Sequence, residues 1–119
     1  TAFAQYGGIA ALEDGEAFVR EFVARCVRNR DVVLAILGRH PRVRLARPQG
    51  AFYVFARIDG LADGLAFCRK VLAEARVGIA PGYTFGPGNE VHFRLCFARR
   101  TEEVEEACRR IVGVIDRLD

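Results

Sequence analysis

The spacing of apolar residues changes at Pro41, and this change points to a fold that combines helices with a sheet. Before Pro41, apolar residues recur at helical spacing and predict one long helix from Gly15 to Leu37. After it, Val43 and Leu45 alternate with arginines, which is typical of a short strand with one exposed face. The chain is therefore expected to be an α+β protein.

The rest of the chain continues both patterns. Asp63 is placed to cap a central helix, and Thr101 is expected to cap the last one. Further elements are predicted at residues 5–12 and 65–75 (helices) and at residues 51–58, 77–80 and 91–98 (strands), with Leu65, Cys68, Leu72 and Ala75 as the buried stripe of the central helix. The predicted order is α-β-β-α-β-β-α, a small, mostly antiparallel sheet covered by helices.

The length and composition fit a single domain over residues 1–119. The 119 residues, 51% of them hydrophobic, are enough for one core and too few for two. We interpret residues 1–40 as connecting helices and residues 41–119 as the sheet with its packing helices. Since the sequence starts at Thr1 and contains no methionine, it is expected to be a piece of a longer protein.

The charges and the cysteines argue against several classes of function. The net charge is only +3 and the 15 acidic residues are interleaved with the basic ones, so a strong field for nucleic acid is not expected. Cys26, Cys68, Cys96 and Cys108 form no C-x-x-C pair, which predicts buried thiols rather than a metal site or disulfides. No apolar run is long enough for a membrane helix and no signal segment is visible, so a cytoplasmic location is expected.

The strand predicted at residues 91–98 carries the strongest functional signal. Alternation places apolar residues on one face and Arg94, with His92 and Cys96, on the other. A guanidinium is costly to desolvate without a partner, so its place in an apolar strand predicts a fork that binds a carboxylate or phosphate through two hydrogen bonds. The competing interpretation is an exposed strand face with an incidental arginine.

Other candidate motifs are weaker. The glycines of residues 82–89 match no phosphate-binding fingerprint and no helix follows them directly, so a structural turn is predicted. Lys70, the single lysine, is expected to be a solvated helix residue rather than a Schiff-base site. Residues 49–56 partly match the aromatic RNA-reading strand, although Gln49 replaces its basic residue. A non-catalytic small-ligand or RNA-binding α+β module therefore remains an alternative.

Four segments of the chain form a combination that is more specific than any one of them alone. They are Arg30-Asp31, Pro48-x-Gly50-Ala51-Phe52-Tyr53, Val77-x-Ile79-x-Pro81-Gly82-x-x-Phe85-Gly86, and Phe93-Arg94-Leu95 followed by Ala98. In order and spacing they resemble the C-terminal, small domain of fold-type I pyridoxal-phosphate aminotransferases of class I/II, across nearly all of the chain. The G-A-F-Y form is closer to the aspartate and aromatic branch than to the histidinol-phosphate branch.

The resemblance implies that Arg94 binds the α-carboxylate of an amino-acid substrate. For Phe52, Tyr53 and Phe85 it implies a place near the substrate entrance, and packing is an equally good explanation for these three. It also implies a homodimeric, cytoplasmic enzyme that transfers an amino group between an amino acid and a 2-oxo acid with pyridoxal phosphate. The family's cofactor-holding residues, including its lysine motif, are not found in the sequence. The chain alone is therefore expected to contain no catalytic, cofactor-binding or metal-binding residue and to be inactive.

The long helix carries more apolar surface than a small sheet can cover. Its apolar residues at positions 18, 19, 22, 23, 26 and 27 wrap around more than one face of the helix. Contiguous apolar surface of this kind is typical of a region that another domain or chain covers. An exposed apolar patch is therefore expected on this helix.

Overall fold

The computed structural model of the chain describes residues 1–118, and it has the predicted α+β fold. The helices are α1 (Ala2–Asp14), α2 (Glu16–Ile36), α3 (Gly64–Lys70) and α4 (Thr101–Ile115), and the strands are β1 (Val43–Leu45), β2 (Tyr53–Ile58), β3 (Ala80–Pro81) and β4 (His92–Cys96). Short 3₁₀ turns follow α2 (Leu37–Arg39) and β3 (Gly82–Phe85), and a π-helical turn follows α3 (Val71–Ala75). The element order is the one predicted from the sequence.

The four strands form one antiparallel sheet in the order β1-β2-β4-β3. β1 and β2 pair with each other, and β4 lies between β2 and the two-residue β3. Within β4, Phe93 and Leu95 are buried, whereas Arg94 is partly exposed and Cys96 is exposed. The sheet therefore has one buried face and one open face, as the alternation predicts.

The core lies between the buried face of the sheet and the helices α2, α3 and α4. Phe67 of α3 packs against Phe93 of β4, with ring centroids 5.7 Å apart. The largest fully buried apolar side chains of the core are Phe93, Phe97, Leu37, Ile58, Ile111, Ile115, Val33, Val54, Val71 and Val114. This layer fixes the sheet against the helices and leaves the opposite face free for a site.

Residues 2–25, which we call the helical arm, contribute little to that core. α1 contains no buried residue, and the buried residues of α2 begin at Cys26. The exposed large apolar side chains of the arm are Phe3, Tyr6, Ile9, Leu12, Phe18, Val19 and Val23. The molecule measures 54 × 29 × 25 Å along its principal axes. The exposed apolar patch predicted on the long helix is confirmed at Phe18, Val19, Val23 and Val27, whereas Cys26 is buried.

The central helix shows which details of the prediction were right and wrong. The Asp63 carboxylate caps α3 as predicted, accepting hydrogen bonds from the backbone N–H groups of Leu65 and Ala66. The predicted stripe is wrong at Leu72, which is 56% exposed, whereas Val71 is fully buried. Val71 follows Phe67 by four positions and Cys68 by three, so it lies on the same buried face, and Leu72 lies beside that face.

Three other local predictions are corrected. Thr101 is the first residue of α4 and not its cap; the N-cap residue is Arg100, without a side-chain capping bond. The third strand, predicted at residues 77–80, is found at Ala80–Pro81, where two residues pair with β4. Cys96 was expected to be buried but is exposed, because alternation along β4 turns it to the open face.

The other three cysteines are buried and free, as predicted. Burial raises the pKa of the Cys68 thiol to about 11 and that of the Cys108 thiol to about 12, because the thiolate would lose its hydration. Within residues 1–118 no three His, Cys, Asp or Glu side chains are grouped so that they could hold a metal ion. Among the same residues, no helix has the length and apolarity that crossing a membrane requires.

Candidate functional site

The candidate site lies on the open face of the sheet, around Arg94 in the middle of β4. Arg94 pairs with Phe55 of β2 on one side and with Ala80 of β3 on the other. Its sequence neighbours Phe93 and Leu95 are anchored in the core, with 0% and 5% of their surface exposed. This anchoring fixes the direction in which the Arg94 side chain leaves the sheet.

Two aromatic rings hold the guanidinium of Arg94. Its central carbon lies 4.3 Å from the centroid of the Tyr53 ring and 4.4 Å from that of the Phe85 ring. Tyr53 precedes Val54 at the start of β2, whereas Phe85 ends the 3₁₀ turn after β3, so the two rings reach Arg94 from different elements. We call Tyr53 and Phe85 the aromatic brace. Stacking of this kind is favourable for a guanidinium and restricts its plane.

The Arg94 guanidinium forms no hydrogen bond and no ion pair with any residue in the range 1–118. Arg44 on β1, two strands away, in contrast pairs with the carboxylate of Asp59 at 2.8 Å. A guanidinium has five N–H donors in a planar fork that matches the two oxygens of a carboxylate. The arrangement can therefore bind an anion at the free edge of the fork, beside the two rings.

A second layer of rings supports Phe85. Phe55 meets Phe85 edge to face, with centroids 5.8 Å apart, and its ring stacks on His92 at 5.0 Å. The Nδ1 atom of His92 is buried without a hydrogen-bond partner among the described residues. Sequence reasoning missed the role of Phe55 and His92; their alternation on β2 and β4 toward the side of Arg94 was the available signal.

The third predicted aromatic residue, Phe52, lies beside the site and not in it. It contacts Tyr53 (centroids 4.6 Å apart) and Phe22 of α2 (6.0 Å). The structure thus brings Tyr53 and Phe85 to Arg94 and places Phe52 behind Tyr53. Phe52 links the brace to the long helix.

The glycine-rich loop between β3 and β4 presents Phe85, and its own polar groups are paired internally. The Thr84 hydroxyl donates to the carbonyl of Pro81 at 2.8 Å, and the Asn89 amide donates to the carbonyl of Gly86 at 3.1 Å. Gly82 is required by space, because a Cβ there would lie 2.3 Å from the Asn89 carbonyl oxygen. The loop is a structural turn that carries one arm of the brace, as the absence of a phosphate fingerprint suggested.

Asn29 fixes the long helix to the end of β4, and sequence reasoning missed it. Its side-chain amide is fully buried and donates to the carbonyl oxygens of Phe97 and Arg99, both at 2.8 Å. A polar residue three positions after Cys26 and four before Val33, inside a buried helical stripe, was the sequence signal. Asn29 thereby sets where β4, and with it Arg94, lies relative to α2.

Lys70 is remote from Arg94. It lies in the last turn of α3, the helix that packs on the buried face of the sheet through Phe67. Arg94 projects from the open face. The sheet therefore separates the single lysine from the candidate site.

The comparisons with known proteins give one answer. No protein-family model matches the chain. The chain is 32% identical to a probable aspartate/prephenate aminotransferase of Rickettsia conorii, over 97% of this chain and 31% of that protein. It is 46% identical to a valine–pyruvate aminotransferase of Mycobacterium tuberculosis, over 70% of this chain and 22% of that protein.

The solved structures agree with the sequence relatives. An alanine aminotransferase from Pyrococcus furiosus superimposes with a TM-score of 0.86 at 30% identity, covering 97% of this chain and 30% of that one. The chain thus spans less than a third of the length of each of these relatives. Their names assign them different amino-acid substrates.

Proposed function

Since the chain belongs to the aminotransferase family, as a segment that spans about 30% of a member's length, we propose that it binds the substrate carboxylate in such an enzyme. The segment has the α+β fold of the small domain, as the sequence resemblance implied. In the proposed reaction, an amino group passes between an amino acid and a 2-oxo acid. Both substrates carry a carboxylate next to the reacting carbon.

The observation that carries this proposal is how the Arg94 side chain is held and which of its groups lack a partner. Its guanidinium is held by two rings and its donors are unused within residues 1–118. Two parallel N–H···O bonds to a carboxylate satisfy such a group and fix the carboxylate in the guanidinium plane. The fixed carboxylate then determines the direction in which the α-carbon of the substrate lies.

The surroundings of Arg94 strengthen this contact. The rings of Tyr53 and Phe85 lie against the guanidinium and displace water from it, and a charge pair gains strength where the local dielectric is lower. Orientation of a bound substrate converts binding energy into rate, because the reacting atoms spend more time in the productive geometry. The role of this segment is therefore to bind and orient, and to help exclude water.

The chain's own residues do not fit pyridoxal phosphate. The cofactor needs a lysine beside the substrate, and Lys70 lies across the sheet from Arg94. The loop between β3 and β4 uses its polar groups internally, so it offers no phosphate cradle. We therefore assign the cofactor, and the bond-making steps that depend on it, to the part of the enzyme outside this chain.

Further parts of the proposal rest on the family resemblance. They are a homodimeric enzyme, a cytoplasmic location and a place in amino-acid metabolism. The relatives are named for aspartate or prephenate, for valine and pyruvate, and for alanine, so their names support amino-acid transamination without choosing a side chain. The substrate's α-carboxylate is the feature that these substrates share.

The alternative of an RNA-binding module has less support. The pattern that suggested it begins at Gln49, but β2 begins only at Tyr53, and Ala51 lies in the turn before it with φ of 57°. Phe52, which should present its ring for base stacking, packs toward Phe22 of α2. The relatives that cover nearly the whole chain are named aminotransferases.

The test is a charge-removing and a charge-keeping substitution at Arg94 in the full-length enzyme that contains the chain. Loss of one side of a desolvated charged pair costs about 2–5 kcal/mol, so Arg94→Ala should lower kcat/KM by roughly two to four decades. Arg94→Lys should restore part of this loss, because an ammonium keeps the charge without the planar fork. Steady-state kinetics measures both.

The matched control is Arg57→Ala, which removes an exposed arginine from β2 that is 3.6 Å from Asp59. Its kcat/KM should stay within about threefold of the wild-type value, as expected for a surface side chain. The cofactor absorption and circular dichroism of each variant verify that the enzyme is intact. An Arg94→Ala enzyme as efficient as Arg57→Ala toward every amino donor would contradict the proposed function.

A further inference from the structure

We propose that Tyr53 and Phe85 are positioning residues that hold the Arg94 guanidinium in the plane in which it binds a carboxylate. The inference rests on the proposed function of Arg94 and deepens it, because it says how the fork is kept ready. Neither ring has to touch the reacting atoms. Each acts through Arg94.

Arg42 shows a different way of orienting a guanidinium. Its Nε donates to the carbonyl of Asp59 at 3.1 Å and its Nη1 to the carbonyl of Leu118 at 2.9 Å. Arg42 is thus oriented by hydrogen bonds that use two of its five N–H donors. Arg94 is oriented by ring contacts at 4.3 and 4.4 Å and keeps its donors for a ligand.

The geometry of the fork decides how a carboxylate can reach it. All donors of a guanidinium lie in its plane, so contact with the faces of aromatic rings, as at Tyr53 and Phe85, can hold the group without using an N–H donor. A carboxylate can then reach these donors along the edge of the group, which is the direction that gives two parallel hydrogen bonds. The brace therefore favours the bidentate geometry.

Other aromatic rings pack against both residues of the brace. Phe85 is backed by Phe55, whose ring meets it edge to face at 5.8 Å. Tyr53 is backed by Phe52 at 4.6 Å, and Phe52 meets Phe22 of α2 at 6.0 Å. Rings that are packed in this way lose little further freedom when a substrate binds, so the fork is organised before the substrate arrives.

The experiment removes one ring at a time in the full-length enzyme. The variants are Phe85→Leu and Tyr53→Leu, with Tyr53→Phe as the change that keeps the ring and removes only the hydroxyl. The matched control is Tyr83→Leu, a half-exposed aromatic residue of the same 3₁₀ turn without a contact to Arg94. The readouts are kcat, KM and the dissociation constant of acetate, a carboxylate that lacks the amino group.

We expect each leucine variant to raise KM and the acetate dissociation constant about two- to fivefold, the size of one cation–π contact at a partly exposed site. The value of kcat should change less, because the bound carboxylate is held alike before and during the reaction. Tyr53→Phe should behave like the wild type. If the leucine variants behave like Tyr83→Leu, the proposed role of the brace is wrong. A defect in Arg94→Ala would in that case still support the proposed function.

A double-variant cycle separates positioning from direct contact with the substrate. In an Arg94→Lys background there is no plane to hold, so Phe85→Leu should change KM by less than about twofold. An undiminished effect in that background would show that Phe85 acts on the substrate itself and would overturn the inference. An effect of Tyr53→Phe as large as that of Tyr53→Leu would assign the role to the hydroxyl and would overturn it at that position.

Discussion

The helical arm and the rest of the described chain, residues 26–118, which we call the sheet unit, differ in how they use apolar residues. In α4 of the sheet unit, Val104, Cys108, Ile111 and Ile115 follow spacings of four, three and four, so all four lie on one face and all are buried. The buried apolar residues of the core therefore all belong to the sheet unit. From the arm, Phe22 packs against this core.

The arm is apolar without having one apolar face. Phe3, Tyr6, Ile9 and Leu12 of α1 recur every three residues, so each step turns them by about 60° around the helix axis. Leu12 is 89% exposed and Phe3 is 79% exposed. The difference teaches that the spacing of apolar residues along a helix, and not their number, determines whether the helix packs into a core. Surface of this kind needs a cover from outside the segment, and the relatives are about three times as long.

The largest difference between the regions should appear when a ring is removed from each. Phe93→Ala removes a fully buried ring that contacts Phe67, and it should lower the free energy of unfolding by about 3–5 kcal/mol. Phe3→Ala, in the arm, should cost less than about 0.5 kcal/mol. Urea denaturation of the 119-residue chain, followed by circular dichroism, measures both. Similar losses at the two positions would show that α1 is part of the same core.

The next largest effect tests the point where the sheet unit begins. Asn29→Ala leaves the carbonyls of Phe97 and Arg99 without their donor, which should cost about 1–3 kcal/mol. Arg28→Ala changes the exposed preceding residue of the same helix and serves as the control. The measurement is the denaturation midpoint of the two variants. If they unfold together, the amide does not hold α2 to β4.

The smallest effect sharpens the comparison from the side of the arm. A Cβ at Gly8, inside α1, meets no atom within 4 Å, so Gly8→Ala should favour the helix by about 0.5–1 kcal/mol. Because α1 contributes no buried residue, the gain should appear as helix content in far-ultraviolet circular dichroism and not as a higher unfolding midpoint of the core.

Gly15→Ala supplies the contrast to Gly8→Ala. A Cβ at Gly15 would lie 2.2 Å from the Ala11 carbonyl oxygen, so the junction between α1 and α2 must shift to accept it. We expect helix content to fall in this variant. Equal helix content in the two variants would contradict the described geometry of the junction.

Much of the fold was predictable because it depends on local periods. Alternation alone placed Arg94 on the face opposite Phe93, and cap chemistry alone placed Asp63 at the start of α3. Leu72 was misplaced because the buried stripe was counted from Leu65 and not from Phe67, the buried residue that Val71 follows by four positions. Cys96 was misplaced because its apolar neighbours were given more weight than its position in the alternation.

The site was predictable only in part, because its contacts cross between elements. The importance of Arg94 follows from one strand, whereas its brace depends on a loop that returns Phe85 to the same face. The support of Phe85 by Phe55 depends on the register between β2 and β4. Such pairings join residues far apart in the sequence, and no single segment contains the information.

The amide of Asn29 has a consequence for the order in which the chain folds. Its two acceptors lie 68 and 70 residues later in the sequence. At a synthesis rate of about 5–20 residues per second, Asn29 is made roughly 3–14 s before its acceptors exist. During that interval the inner side of the long helix lacks both these acceptors and α4, the helix that packs against it, so docking of α2 is a late event in biosynthesis. A ribosome that stalls before Arg99 would therefore carry a nascent helix with both of its sides exposed, a form that chaperones are suited to bind.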